Sequence, residues 1–146
     1  MRLATLGDLQ AVEAIVRGAY TPYVVRMGRM PGPMLDDYRR SIAAGRVHVI
    51  EHQGVVHGVL VLIPEAETML LDNIAVDPAV QGVGLGRRML AFAETAAGAA
   101  GYRTIRLYTN EAMTENVGLY SRLGWVETHR GEENGFRRVY FAKRLG

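Results

Sequence analysis

Leu9, Val12, Ala14, Ile15, Val16 and Ala19 recur at helical spacing behind Asp8, a residue suited to an N-cap, which predicts a helix over 9–20. Ahead of it, residues 1–5 read as a short edge strand. The stretch 20–33 carries Thr21-Pro22, Met30-Pro31 and Gly32-Pro33, which argue against a regular helix through it. A second helix is expected over 34–44, stopping at Gly45 as its C′ residue. The β-branched run 47–51, the turn pair Gln53-Gly54 and the apolar run 55–63 then make a hairpin. A third strand spans 68–76 and ends at Asp77-Pro78. Past a glycine-rich turn, Leu85, Met89, Leu90, Phe92 and Ala93 give a helix over 84–97 its apolar face, and Gly98 and Gly101 close it. A strand over 104–108, a helix over 114–123 and a hairpin of 125–130 with 137–144 complete the chain. Leu123 and Trp125 belong to the core. Helices interleaved with hairpins predict a mixed sheet, and no repeat or linker divides residues 1–146, so a single domain is expected.

Composition narrows the chemistry. The 146 residues, 49% hydrophobic and 22% charged, are enough for one domain with a buried core. Of 17 basic residues only Lys143 is lysine, and 15 acids leave a formal charge of +2. The pI near 9.1 reflects late-titrating guanidinium groups, not a strong positive field. The arginines are scattered, so no nucleic-acid partner is expected. The absence of cysteine excludes disulfides, thiolate zinc, iron–sulfur clusters and a cysteine nucleophile. Ser41 and Ser121 are the only serines and neither sits in a G-x-S-x-G elbow. The four histidines show no metal-ligating spacing, so no metal is expected. The apolar run 59–63 ends at Pro64 and the opening residues lack a signal-peptide core, so the sequence predicts a cytoplasmic protein with no membrane partner.

The most informative stretch runs from the strand over 68–76 into the helix that begins near 84. Glycines at 82, 84 and 86 leave successive backbone N–H groups bare beside the positive end of a helix, a donor set that suits a pyrophosphate, and Arg87 adds a cation. The Walker pattern fails for want of Gly-Lys-Ser/Thr, and the dinucleotide fingerprint fails because Arg87 stands where its third glycine belongs. The spacing that fits is Q-x-x-G-x-G, with Gln81, Gly84 and Gly86. A second block, from Asn116 through Leu119-Tyr120 to Gly124-Trp125, places Asn116 and Tyr120 one helical turn apart.

In these two blocks the chain resembles the GNAT family of N-acetyltransferases, in its small single-domain bacterial form. The resemblance covers almost the whole chain. It implies an α/β (α+β) three-layer fold: a mixed, mostly antiparallel sheet of six or seven strands, helices on both faces and a splayed central strand pair. It implies acetyl-CoA as co-substrate, held by Ile74, Ala75 and Val76 of the strand, by Gln81, Gly82, Val83, Gly84, Leu85, Gly86 and Arg87 of the loop and helix start, and by Asn116. Tyr120 is then the general acid that protonates the departing thiolate. The acceptor is a primary amine of a small molecule or peptide, attacking directly in a ternary complex, which agrees with the missing protein nucleophile. Many relatives place their asparagine where this chain has Met113.

The general base stays open between Asp72, Glu111 and a water chain; Tyr108 stands where some relatives carry a glutamate, and His129 is a further option. Acceptor choice is expected to lie with residues 20–33, which include Tyr20, Tyr23, Arg26 and Arg29, and with Glu132 and Glu133 of the terminal hairpin. The arginines suit a carboxylate and the glutamates a polyamine or aminoglycoside. The competing reading is an acyl-CoA-binding sensor or partner module without turnover. A terminal edge strand offers a surface for a homodimer, although the sequence does not demand one.

Overall fold

The computed structural model describes residues 1–82 and 84–146, so Val83 of the expected loop lies outside the described residues. Among these, seven strands form one sheet: β1 (Arg2–Leu3), β2 (Val47–His52), β3 (Val55–Pro64), β4 (Met69–Val76), β5 (Thr104–Asn110), β6 (Val126–Glu133) and β7 (Phe136–Arg144). Their spatial order is β1-β2-β3-β4-β5-β7-β6. Neighbours pair antiparallel, apart from the parallel pair β4 and β5.

Alternation along β3 divides the core between two layers. Val59 and Val61 pack with Val12, Ile15 and Val16 of α1 (Leu9–Met27) and with Ile42 of α2 (Tyr38–Ala43). Leu60 and Leu62 face the other way, onto Met89, Leu90 and Ala93 of α3 (Leu85–Ala99), and Tyr120 of α4 (Thr114–Arg122) joins that cluster. The alternation of period two therefore makes the three layers. Gly58 lets α3 close onto the sheet, because a Cβ there would stand 2.7 Å from the Met89 sulfur. Among the described residues no helix is long and apolar enough to cross a membrane.

Three helix boundaries differ from expectation. Helix α1 does not stop at Tyr20 but runs through Pro22 to Met27, ending where Gly28 adopts φ +71°. Proline removes the bond to the Gly18 carbonyl, a cost of about 3 kcal/mol. What outweighs it is tertiary: Tyr20, Tyr23 and Met27 recur at helical spacing, and all three line the central cleft. The Thr21 hydroxyl also donates to the Arg17 carbonyl at 2.5 Å. Helix α2 begins at Tyr38 and not at residue 34, because Asp37 caps it by accepting from the Arg40 N–H at 3.1 Å. Residues Gly32–Leu35 form a separate 3-10 turn. Gly98 lies inside α3, which ends at Ala99.

The centre of the sheet is where the site opens. Only Met69↔Ile105, Leu70↔Arg106 and Leu71↔Leu107 join β4 to β5; beyond them the strands part. On its other side, β4 steps from the pair Leu62↔Leu71 to Val61↔Asn73, leaving Asp72 as an extra, bulged residue. The bulge re-aims the strand at the point where the splay begins.

Candidate active site

The splay opens a cleft of about 620 Å³ between the ends of β4 and β5, walled by α1, α3 and α4. Ile74, Ala75 and Val76 of β4 form one side, on a strand that β5 no longer pairs. Gln81, Gly82, Gly84, Leu85, Gly86 and Arg87 form the rim that leads into α3. Asn116 and Tyr120, one turn apart on α4, face them. The described site residues expected from sequence thus converge on one cavity.

The glycines of the rim have separate reasons. Gly82 and Gly84 adopt φ +88° and +82°, a region that L side chains rarely enter. Gly84 is also the N-cap of α3 and supplies no side-chain cap, so the first helical N–H groups stay open toward the cleft rim. Gly86 is already helical, and a Cβ placed there meets nothing within 4 Å beyond the helix's own backbone among the described residues. Its missing side chain leaves room beside a row of donors, which is the shape and chemistry a pyrophosphate needs.

Tyr120 serves both core and cleft. It is 6% exposed and packs edge-on against Trp125, with ring centroids 6.0 Å apart, while also lining the cavity. Among the described residues its hydroxyl has no protein hydrogen-bond partner, and burial, then the nearby Tyr23, push its pKa up to about 12. It therefore remains a protonated phenol across the physiological range.

The structure separates the base candidates. Asp72 lines the cleft, accepts a hydrogen bond from the Tyr108 hydroxyl at 3.0 Å, and has its pKa raised from the ordinary value by burial. Glu111 lies outside this cavity, exposed and 3.4 Å from Arg130. His129 is exposed on β6 and stacks on Tyr140, with centroids 4.2 Å apart. The residues expected to select the acceptor also divide. Tyr20 and Tyr23 enter the cleft, but Arg26 pairs with Glu115 at 2.7 Å and Arg29 lies over the Phe136 ring at 4.1 Å. Glu133 binds Arg138 at 3.1 Å and accepts from the Tyr140 hydroxyl at 2.7 Å.

Sequence reasoning missed Asp36 and Arg138, and it saw Asn73 only as a backbone member of the strand over 68–76, not for its side chain. Asp36 stands at the mouth, open to solvent on one side, yet the surrounding protein and then the charge of Asp72 push its carboxyl up to about 6. Asn73 is buried, accepts from the Tyr20 hydroxyl at 2.6 Å and donates to the Tyr38 hydroxyl at 2.8 Å. Tyr38 in turn donates to the Pro33 carbonyl, so one amide ties α1, α2 and the 3-10 turn to β4. Arg138 lies over the Tyr108 ring at 4.1 Å. Only the alternation of β4 hinted at any of these, and the bulge at Asp72 shifts that alternation.

A family model, the acetyltransferase (GNAT) domain, matches residues 43–127. No curated protein matches the chain by sequence. Among solved structures, a GNAT-family acetyltransferase of Listeria monocytogenes is 21% identical, with TM-score 0.76 over 99% of this chain and 93% of its own. The ribosomal-protein-S18-alanine N-acetyltransferase of Escherichia coli is 20% identical, with TM-score 0.72 over 97% and 90% of the two chains. A GNAT family acetyltransferase of Elizabethkingia anophelis with acetyl-CoA bound is 22% identical, with TM-score 0.63 over 74% and 81%. At these identities the likeness is one of fold.

Proposed function

The chain belongs to the GNAT acetyltransferase family, and from that membership we propose that residues 1–146 act as one domain moving an acetyl group from acetyl-CoA to a primary amine. The observation that carries the reading is the convergence of the unpaired β4 edge, the uncapped start of α3 and the buried Tyr120 on one cleft. The pyrophosphate sits at the glycine rim with Arg87, and the pantetheine arm lies along Ile74, Ala75 and Val76 as an added strand beside the splayed edge. Asn116 faces that arm. The Elizabethkingia neighbour, solved with acetyl-CoA, supports the choice of co-substrate.

The chemistry is direct attack. The amine nitrogen forms a bond to the thioester carbon, an oxyanion develops against a backbone N–H of β4, and the C–S bond then breaks. An ammonium gives up two protons on its way to an amide. Asp72 takes the first and passes it to water; burial has already raised its affinity for protons, which suits it to the task. Tyr120 protonates the departing thiolate and is restored by the second.

The test has two stages. Acetyl-CoA at a hundredfold excess over its dissociation constant stabilises the fold by about 2.7 kcal/mol, read as a thermal shift. Release of free CoA on adding amines then shows turnover. Absence of a shift with any acyl-CoA overturns the reading; a shift with no CoA release from amino acids, polyamines, aminoglycosides or peptide N-termini leaves a binding module instead of an enzyme.

A further inference from the structure

The acceptor end of the cleft carries an uneven set of charges. Asp72 lies at the bulge of β4, and Asp36 stands at the mouth, in the segment between the 3-10 turn and α2; both line the same cavity. The cation facing both is Arg138, whose guanidinium is already committed to Glu133 at 3.1 Å and stacked on Tyr108 at 4.1 Å. Two further guanidinium groups reach Asp72 through the field. Arg106 is held by both carboxylate oxygens of Glu65, at 2.7 and 2.8 Å, leaving Arg46. The acceptor end is therefore short of positive charge, and aromatic walls from Tyr20, Tyr23 and Phe136 limit its hydration. Tyr120, buried and with no protein partner for its hydroxyl among the described residues, lines the same cavity, which marks it as built to receive a ligand.

We propose that the acceptor carries a second cationic amino group, so that Asp72 receives the reacting amine while Asp36 holds a non-reacting ammonium at the mouth. The substrate class is then an aliphatic diamine or polyamine, or an amino sugar with two neighbouring amines, and not an amino acid. A substrate carboxylate placed beside the reacting amine meets two cavity-lining carboxylates and the compensated Arg138, with Arg46 reaching Asp72 only through the field, an arrangement that on balance repels it. An ammonium placed there relieves the repulsion between Asp36 and Asp72 and lowers the cost of keeping both ionised. This inference rests on the acetyltransferase reading.

The experiment measures kcat and KM at saturating acetyl-CoA for three acceptors of equal length: 1,4-diaminobutane, butylamine and 4-aminobutyrate. The diamine is expected to exceed butylamine at least tenfold in kcat/KM, mainly through KM, with 4-aminobutyrate the poorest. Asp36→Asn should bring the diamine-to-butylamine ratio close to one, and Asp36→Glu should restore part of it; the acetyl-CoA thermal shift reports that both variants fold. A residue that only supports the fold would not change a ratio between two acceptors. Spermidine and kanamycin form the second arm, and whichever is turned over with the lower KM identifies the source of the second ammonium. A preference for 4-aminobutyrate or butylamine, or a ratio unchanged in Asp36→Asn, overturns this proposal while the acetyl-CoA shift leaves the enzyme reading standing. CoA release from no diamine, polyamine or amino sugar, with the shift present, overturns it too. Loss of the shift itself overturns both.

Discussion

Asp72 and Tyr108 are the first residues past the last backbone pair of β4 and β5, Leu71↔Leu107, and their side chains continue the contact that the backbones give up, the Tyr108 hydroxyl donating to the Asp72 carboxylate at 3.0 Å. The bond spans the apex of the cleft. It also opposes the main perturbation of Asp72: burial raises the carboxyl, and the hydrogen bond from Tyr108 draws it back down. Tyr108→Phe removes the donor and leaves the burial. The Asp72 pKa should then rise, moving the acidic limb of kcat/KM to higher pH with the plateau rate reduced less than the rate at low pH. A pH–rate profile of the two proteins checks it, and an unmoved limb would take Asp72 out of the role of base.

Tyr120→Phe deletes only the hydroxyl of a ring that packs on Trp125 and Phe141. Since that hydroxyl has no protein partner among the described residues, the fold should lose little. A lost proton donor slows turnover about 10²–10⁴-fold. Acetyl-CoA affinity should stay within a few-fold. Steady-state rates and a binding titration separate these effects; undiminished turnover would exclude Tyr120 from the chemistry.

Gly86→Ala should move stability and binding in opposite directions. The residue is helical and, among the described residues, a Cβ there meets nothing within 4 Å beyond the helix's own backbone, so alanine should stabilise α3 by up to about 1 kcal/mol. The same methyl occupies the space beside the open N–H groups, and acetyl-CoA should bind at least several-fold more weakly. Thermal melting with and without acetyl-CoA reads both signs in one experiment. A variant that gains stability and keeps its affinity would place the pyrophosphate elsewhere.

The sheet and the helices α3 and α4 were legible in sequence because their signals are local: alternation, a Gln-Gly turn, a glycine rim before an apolar helical stripe. The β4 and glycine-rim side of the cleft, to which we assign the cofactor, was legible for the same reason, since most of it lies on one continuous stretch, 74–87. The acceptor side was legible only in part: Asp72, Tyr20 and Tyr23 were visible as candidates and do line the cleft, but Asp36 and Arg138 were not. Asp36, Asp72, Tyr108 and Arg138 come from four separate segments, and each acquires its meaning only from the others' proximity in the fold. Pro22 misled in the opposite way: a strong local rule was overridden by the packing of the half-buried Tyr20, Tyr23 and Met27 along the cleft, at helical spacing. Arg26 and Arg29, open to a carboxylate in the sequence, are drawn off by Glu115 and Phe136.

The acid-side stability of the protein should depend on Asp8. Its carboxylate accepts from the Thr5 N–H at 2.8 Å in a capping box and from both terminal nitrogens of Arg2, at 2.8 and 2.9 Å, fastening β1 to the start of α1. The hydrogen bonds from Arg2, with Thr5 helping, hold the Asp8 carboxyl well below its ordinary range. A carboxyl depressed in the folded state contributes stability above its unfolded pKa, near 3.9, and that contribution fades as pH falls toward the folded value. Asp8→Asn keeps much of the shape but loses the charge, and Asp8→Ala also loses the bond to the Thr5 N–H, the side chain making no cap bond to α1 itself. The alanine variant should cost about 0.5–1.5 kcal/mol at pH 7, the worth of a typical hydrogen bond. Asp36 has the opposite sign: its carboxyl, raised to about 6, favours the folded state most below pH 4, and that help is gone above pH 6. Denaturant titrations at pH 7 and pH 3 should therefore show wild type and Asp8→Asn converging as the pH drops. A gap that does not narrow at all between pH 7 and pH 3 would assign the residue's role to packing and not to charge.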